Sequence, residues 1–220
     1  MKRKPEPELM DDAAEARAYA AAGFSEVNQA FVDRLVELAG ERPSARAVDL
    51  GTGPADIPIR LAKARPRWHV VAVDASKAML DIARRDVLRA RLGRRIELVL
   101  ADAKATHLPA HSFDVIFSNS ILHHITEARE FWAEVKRLAA PGTTIFLRDL
   151  ARPETPARAR QIVRQYAGNE SQLLQDEYYR SLLSAYTVEE VLAQLDAAGV
   201  DGLRVEMVTD RHLDVWGEVR

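Results

Sequence analysis

The chain has no cysteine among its 220 residues, which excludes disulfides, thiolate-bound zinc, iron–sulfur clusters and thiolate nucleophiles. Neither sign of charge dominates: 31 Lys and Arg stand against 33 Asp and Glu, a formal net charge of −2. A phosphate-backbone binder carries a basic excess, so nucleic acid is not the expected partner. No apolar run approaches the roughly 18 residues of a membrane span. Met1-Lys2-Arg3-Lys4-Pro5 leads into acidic residues and not into a signal-peptide core, so a soluble, cytoplasmic protein is expected. The six histidines lack metal-site spacing: His123 and His124 are adjacent, His107 and His111 are split by Pro109, and no acidic partner falls at zincin spacing. No metal is expected.

What is present is the balance of a globular domain, 47% hydrophobic and 29% charged residues. Pro5 to Leu38 is Ala-rich, with Phe24, Val27, Phe31, Leu35 and Leu38 at helical spacing, and reads as one or two helices. From Arg46 short apolar runs alternate with amphipathic stretches. Strands are predicted at 47–50, 69–73, 96–100, 113–117 and 144–147, and helices at 57–64, 76–92 and 127–139, with a turn at Pro141-Gly142. This βαβ punctuation predicts an α/β fold with a parallel, doubly wound sheet. Two helical patterns follow at 157–166 and 171–183. A third helix opens on the capping box Thr187 to Glu190, and two short strands end the chain, the last a presumed edge near Val215 through which a homodimer could pair. The spacing predicts one domain over 1–220: a helical cap at 1–44, a core at 45–150, an insertion at 151–186 and a final unit at 187–220.

The chemistry concentrates in Ala47-Val48-Asp49-Leu50-Gly51-Thr52-Gly53-Pro54-Ala55-Asp56, an apolar strand running into a Gly-X-Gly turn and a helix. Asp74 ends the second strand, where a carboxylate can accept hydrogen bonds from both hydroxyls of a ribose. A dinucleotide site wants a third glycine where this chain has Asp56, whose charge repels a pyrophosphate and tolerates a cationic ligand. That asymmetry favours a sulfonium cofactor over a nicotinamide dinucleotide.

On these residues the stretch from Arg46 to Leu150 resembles the class I S-adenosylmethionine-dependent methyltransferases, and its fourth strand, Phe113 to Ser120, followed by Ile121-Leu122-His123-His124, resembles the small-molecule branch of the ubiquinone and menaquinone enzymes. The resemblance implies a Rossmann-like seven-stranded sheet, mostly parallel with the last strand antiparallel, with N-terminal helices and a helical insertion after the fifth strand. It implies S-adenosyl-L-methionine as cofactor, leaving as S-adenosyl-L-homocysteine. The cofactor would lie against Gly51, Thr52 and Gly53, Asp74 with Ala75 and Met79, Asp102 with the Ala103 amide at the adenine, and Asn119. Arg17 and Tyr19 would close over its methionine end. Ala55 replaces a frequent third loop glycine, a change tolerated where the backbone is helical. The Asn-Pro-Pro-aromatic motif of DNA and some protein amino-methyltransferases is absent after Asn119.

Candidate catalytic residues follow the fourth strand: His123, or His124, could act as general base on a small-molecule acceptor, or one could line the pocket while the other packs outward. Arg148 and Asp149 after the fifth strand could bind a substrate group or form an internal ion pair. Tyr178, Tyr179 and Arg180 in the insertion could wall an aromatic or anionic acceptor or pack on the sheet. Rival readings are a non-catalytic S-adenosylmethionine binder, a protein or RNA methyltransferase, and a nicotinamide-dependent oxidoreductase.

Overall fold

The computed structural model describes residues 1–7, 16, 17, 20 and 25–219. In chain order the elements are α1 (Ser25–Ala39), β1 (Arg46–Leu50), α2 (Asp56–Ala64), β2 (His69–Asp74), α3 (Lys77–Arg89), β3 (Ile96–Leu100), β4 (Phe113–Asn119), α4 (Ala128–Leu138), β5 (Ala139–Leu150), α5 (Pro156–Ala167), α6 (Gln172–Ser184), α7 (Val188–Ala198), β6 (Leu203–Met207) and β7 (His212–Glu218). The sheet order is β3-β2-β1-β4-β5-β7-β6. β1 to β5 are parallel and β7 runs antiparallel to both its neighbours. The chain reverses direction in the sheet between β1 and β4, and open α/β folds bind ligands at such a switch point.

The apolar runs of the central strands are continuous because both faces are covered. Ala47, Val70, Ala72, Val115, Phe117 and Phe146 point to one face, under α1, α2 and α3. Val48, Leu50, Val71, Ile116, Ile145 and Leu147 point to the other, under α4 and α7. Each fully buried Leu or Phe contributes about 1.5–3 kcal/mol, and Phe31 of α1 stacks on Phe146 of β5 with ring centroids 4.5 Å apart. Side-chain caps from Ser76, Thr155, Ser171 and Thr187 fix the starts of α3, α5, α6 and α7. The Thr187 side chain accepts from Glu190 N while Glu190 reaches back to Thr187 N, completing the capping box read from the sequence. α5 and α6 form a small core of their own with Leu150, Ile162 and Leu182, against which Tyr178 and Tyr179 pack.

Three expectations change. Residues 5–7 carry no helix, because Pro5 and Pro7 lack amide donors and push the residue before each out of the α region. Residues 1–7 form instead a strap, tied to α6 where Lys4 N donates to Leu183 O at 3.0 Å. Pro141-Gly142 does not separate helix from strand: it is a bulge inside β5, where the pairing register shifts, Gly142 has φ 81°, and Thr143 Oγ1 donates to Phe113 O at 2.7 Å. β7 is not an edge strand, since β6 covers it, so Val215 is buried and offers no pairing surface for a homodimer.

Candidate active site

The carboxyl ends of β1 and β2 are joined through the backbone. Gly51 N and Thr52 N both donate to Val73 O at 2.9 Å, so the glycine loop folds over the end of β2. Asp74 fixes it from below: Oδ2 accepts from Gly53 N at 2.7 Å and Oδ1 from Ser76 N at 2.8 Å. Burial raises its carboxyl above the usual range, and these amide hydrogen bonds hold it back. Each carboxylate oxygen keeps a lone pair after one amide bond, enough for the two hydroxyls of a ribose.

The two loop glycines do different work. At Gly51, φ 78°, a Cβ would fall 2.5 Å from Ile121 Cδ1, so the loop lies hard against the turn after β4. At Gly53, φ 54°, a Cβ would meet nothing within 4 Å, which leaves the backbone open to a ligand. Ala55 departs from expectation: its φ is 63° and ψ 27°, left-handed and not helical. That conformation costs about 1–2 kcal/mol for a residue with a Cβ, and burial of the methyl offsets roughly 0.8 kcal/mol of it. Asp49 below the loop is fully buried, and burial pushes its carboxyl up to about 8, the Thr52 side chain opposing and the Asp74 carboxylate adding to the rise.

The other cofactor candidates gather on the same edge. Ala101 N donates to Asp74 O at 3.0 Å, which sets Asp102 beside the end of β2, its side chain exposed and its Oδ1 accepting from Lys104 N. Ala103 is buried, Ala75 exposed and Met79 buried, with Met79 N donating to the Ser76 hydroxyl. Asn119 ends β4 half-buried. Arg17 is exposed, and Tyr19 lies outside the described residues. Asp56 does not face the loop's ligand side as a free charge. Its carboxylate accepts from Arg60 Nε at 2.7 Å and Asn28 Nδ2 at 2.9 Å, one helical turn and one helix away. Arg60 cancels that charge, so Asp56 does not favour a sulfonium over a dinucleotide.

A second cluster begins where β4 ends. Ser120 has φ 62°, a strained turn held by Ser120 N donating to Arg148 O at 2.8 Å. The turn presents Leu122 N to Asp149 Oδ2 at 2.6 Å, and His123 Nδ1 lies 2.5 Å from Asp149 Oδ1. Burial would lower the His123 pKa, yet the Asp149 and Glu6 carboxylates outweigh it and hold it above the usual range. Burial likewise opposes ionisation of Asp149, and the His123 ring overcomes this to keep it low. The strap supplies the far side: Glu6 Oε1 stands 3.6 Å from His123 Nε2 and 3.1 Å from His124 Nδ1. Burial raises the Glu6 carboxyl against the pull of His123 and Ser181. Arg3 clamps the strap by donating to the carbonyls of Ser184, His123 and Ile125, with its guanidinium 3.9 Å over the Tyr186 ring.

The remaining substrate candidates divide. Asp149 belongs to this cluster. Arg148, the next residue along the strand and so on the other face, is held by a bidentate pair to Asp214, both contacts at 2.7 Å. Asp214, to which the sequence reading gave no role, is the buried partner that takes Arg148 away from substrate. Tyr178 is packed in the insertion core, and burial pushes its hydroxyl up to about 12. Tyr179 receives a hydrogen bond from Arg160 at 3.3 Å. Arg180 is exposed, its charge felt at Glu6. Sequence reasoning missed Glu6, Arg3, Ser181 and Ser184. Pro5 and Pro7 are the sequence signal that an extended segment starts there.

Residues 47–142 match a family model described as a methyltransferase domain. A release factor glutamine methyltransferase from Rhodopirellula baltica is 38% identical over 88 residues, 40% of this chain and 30% of that protein. A demethylmenaquinone methyltransferase from Roseiflexus castenholzii is 33% identical over 121 residues, 55% of this chain and 49% of that protein. The chain thus spans half or less of the length of these curated relatives. Among solved structures, a SAM-dependent methyltransferase from Aquifex aeolicus aligns at a TM-score of 0.72 and 20% identity, over 95% of this chain and 99% of that chain. That likeness is one of fold.

Proposed function

We propose that the chain is a class I S-adenosylmethionine-dependent methyltransferase that methylates a small-molecule acceptor by in-line displacement, a reading supported by the match of residues 47–142 to a methyltransferase domain. The observation that carries this reading is the contact between Gly51 and Ile121: it sets the glycine loop, where the cofactor binds, two residues from the His123–Asp149 pair. Cofactor and acceptor groups then share one edge of the sheet.

The residues fit the cofactor on their own chemistry. Gly53 leaves open backbone, Asp74 keeps two lone pairs for ribose, and Asp102 is exposed beside it. S-adenosylmethionine supplies the methyl group on a cationic sulfur and leaves as a neutral thioether. The chain's part is to hold the acceptor in line, which can lower the barrier by several kcal/mol with no covalent step. His123, fixed at Nδ1 by Asp149, presents Nε2 to take the acceptor's proton as the new bond to carbon forms. A small acceptor is favoured over a glutamine side chain because Asn119 is followed by Ser120-Ile121-Leu122 and not by Pro-Pro-aromatic.

Calorimetric titration with S-adenosylmethionine, S-adenosylhomocysteine and NADH tests the cofactor. Binding of the two adenosyl ligands alone is expected, and a screen of phenols, quinols and small amines, read as methylated product by mass spectrometry, then identifies the acceptor. Binding of NADH alone, or of none of the three, overturns the reading.

A further inference from the structure

We propose that Glu6, His123 and His124 form a binding site for a divalent transition cation of the zinc type, with one coordination position left for water or an acceptor oxygen. The three side chains each offer one donor atom, and these atoms lie within 4.8 Å of one another. In a tetrahedral zinc site with bonds of about 2.0–2.1 Å, neighbouring donors stand about 3.3 Å apart. The two separations that Glu6 Oε1 makes, 3.6 Å to His123 Nε2 and 3.1 Å to His124 Nδ1, bracket that value.

The surroundings are those of a ligand set. His123 turns Nε2 toward the shared point because Asp149 holds Nδ1 at 2.5 Å, the carboxylate–histidine arrangement that fixes tautomer and ring angle in metal sites. Glu6 is oriented in turn by the Ser181 hydroxyl, at 3.1 and 3.3 Å from its two oxygens. The Glu6 and Asp149 carboxylates together balance a dication, and the nearby Arg3 guanidinium is directed to backbone carbonyls. Two imidazoles and one carboxylate, with no sulfur, select zinc, cobalt or nickel over magnesium or calcium. A cation and a proton compete for His123 Nε2, so a bound cation would take over from His123 the task of favouring the ionised acceptor. Spacing along the chain does not show the site, because its carboxylate comes from the strap.

The test is titration of untagged, chelator-treated protein with cobalt chloride, followed by calorimetry and visible absorption. One equivalent is expected to bind with the absorption of a four-coordinate ion. His124→Ala and Glu6→Gln are each expected to weaken binding at least about tenfold, whereas His107→Ala and His111→Ala do not. In the wild type, bound cobalt should broaden the ring NMR signals of His123 and His124 and leave those of His69 and His111, at the opposite end of the strands, sharp, a readout that needs no variant to fold. No stoichiometric binding, binding unchanged in both ligand variants, or broadening at His69 or His111 with His123 and His124 left sharp overturns the site. Titration of the same sample with S-adenosylhomocysteine separates the two readings: its binding without cobalt sinks only the cation site, and cobalt binding without it sinks only the cofactor assignment.

Discussion

Asp149 and His123 face each other across the ends of β5 and β4, Oδ1 to Nδ1 at 2.5 Å, while the other oxygen of Asp149 takes the Leu122 amide at 2.6 Å. One carboxylate therefore sets both the turn and the ring it carries. In Asp149→Asn the amide oxygen keeps the Leu122 amide only by turning its NH₂ to Nδ1 at the loss of the Leu150 N bond to Oδ1, and in that orientation the ring proton moves to Nε2. Histidine ring nitrogen NMR should show the exchange of tautomers with S-adenosylhomocysteine affinity unchanged. Methyl transfer to any acceptor found should fall by about 10²–10⁴. An unaltered tautomer would remove Asp149 as the positioning residue.

Asp74→Ala removes the acceptors proposed for the ribose hydroxyls together with the acceptors for Gly53 N and Ser76 N. Hydrogen bonds to a charged group are worth about 1.5–3 kcal/mol each, so S-adenosylhomocysteine should bind at least about tenfold more weakly by calorimetry. An unchanged Kd would move the cofactor elsewhere.

Gly51→Ala adds a Cβ 2.5 Å from Ile121 Cδ1 at a φ of 78°. Left-handed strain of about 1–2 kcal/mol and overpacking of about 1–3 kcal/mol should add in denaturant unfolding. Ile121→Ala in the same chain should relieve the overpacking and leave the strain. The two substitutions are therefore expected to couple, and purely additive effects would show that the contact is not made.

Asp49 titrates near 8 when folded and near 4 when unfolded. The folded state thus holds a proton that the unfolded chain has lost, and stability should fall as pH rises between those values, by up to about 1.4 kcal/mol per pH unit. Asp49→Asn should flatten that slope when thermal midpoints at pH 5 and pH 8 are compared. A slope that survives the substitution would assign it to another group.

Arg148 and Asp214 form a pair whose acid is buried and whose base keeps some solvent. Asp214→Ala leaves the guanidinium without its partner and should cost about 3 kcal/mol or less, given that exposure. S-adenosylhomocysteine affinity should not move. Loss of affinity without loss of stability would return Arg148 to the ligand site.

What the sequence shows and what it hides divide by distance along the chain. The glycine loop, Asp74 and the Thr187 capping box are legible because their partners lie within a few residues or one βα unit. Asp56 misleads although its partner is near: Arg60 stands at i+4, where a helix pairs opposite charges, and that spacing outweighs the loop's own logic. Glu6 with His123, and Arg148 with Asp214, escape notice because nothing local marks either partner; each needs the strand order and the strap before the two meet. The seven-stranded sheet with its reversed final strand is legible from alternation and resemblance, but the interior place of β7 is not. A short strand reads alike whether it ends a sheet or lies within one.

The strap has a consequence for synthesis. Residues 1–7 are made before the sheet they pack beside, yet their partners at Ser181, Leu183 and Ser184 are translated more than 170 residues later. The side proposed for the acceptor thus cannot be assembled until α6 has been made, after β1 to β5. A nascent chain halted after β5 would already hold the glycine loop and Asp74, with His123 still uncovered.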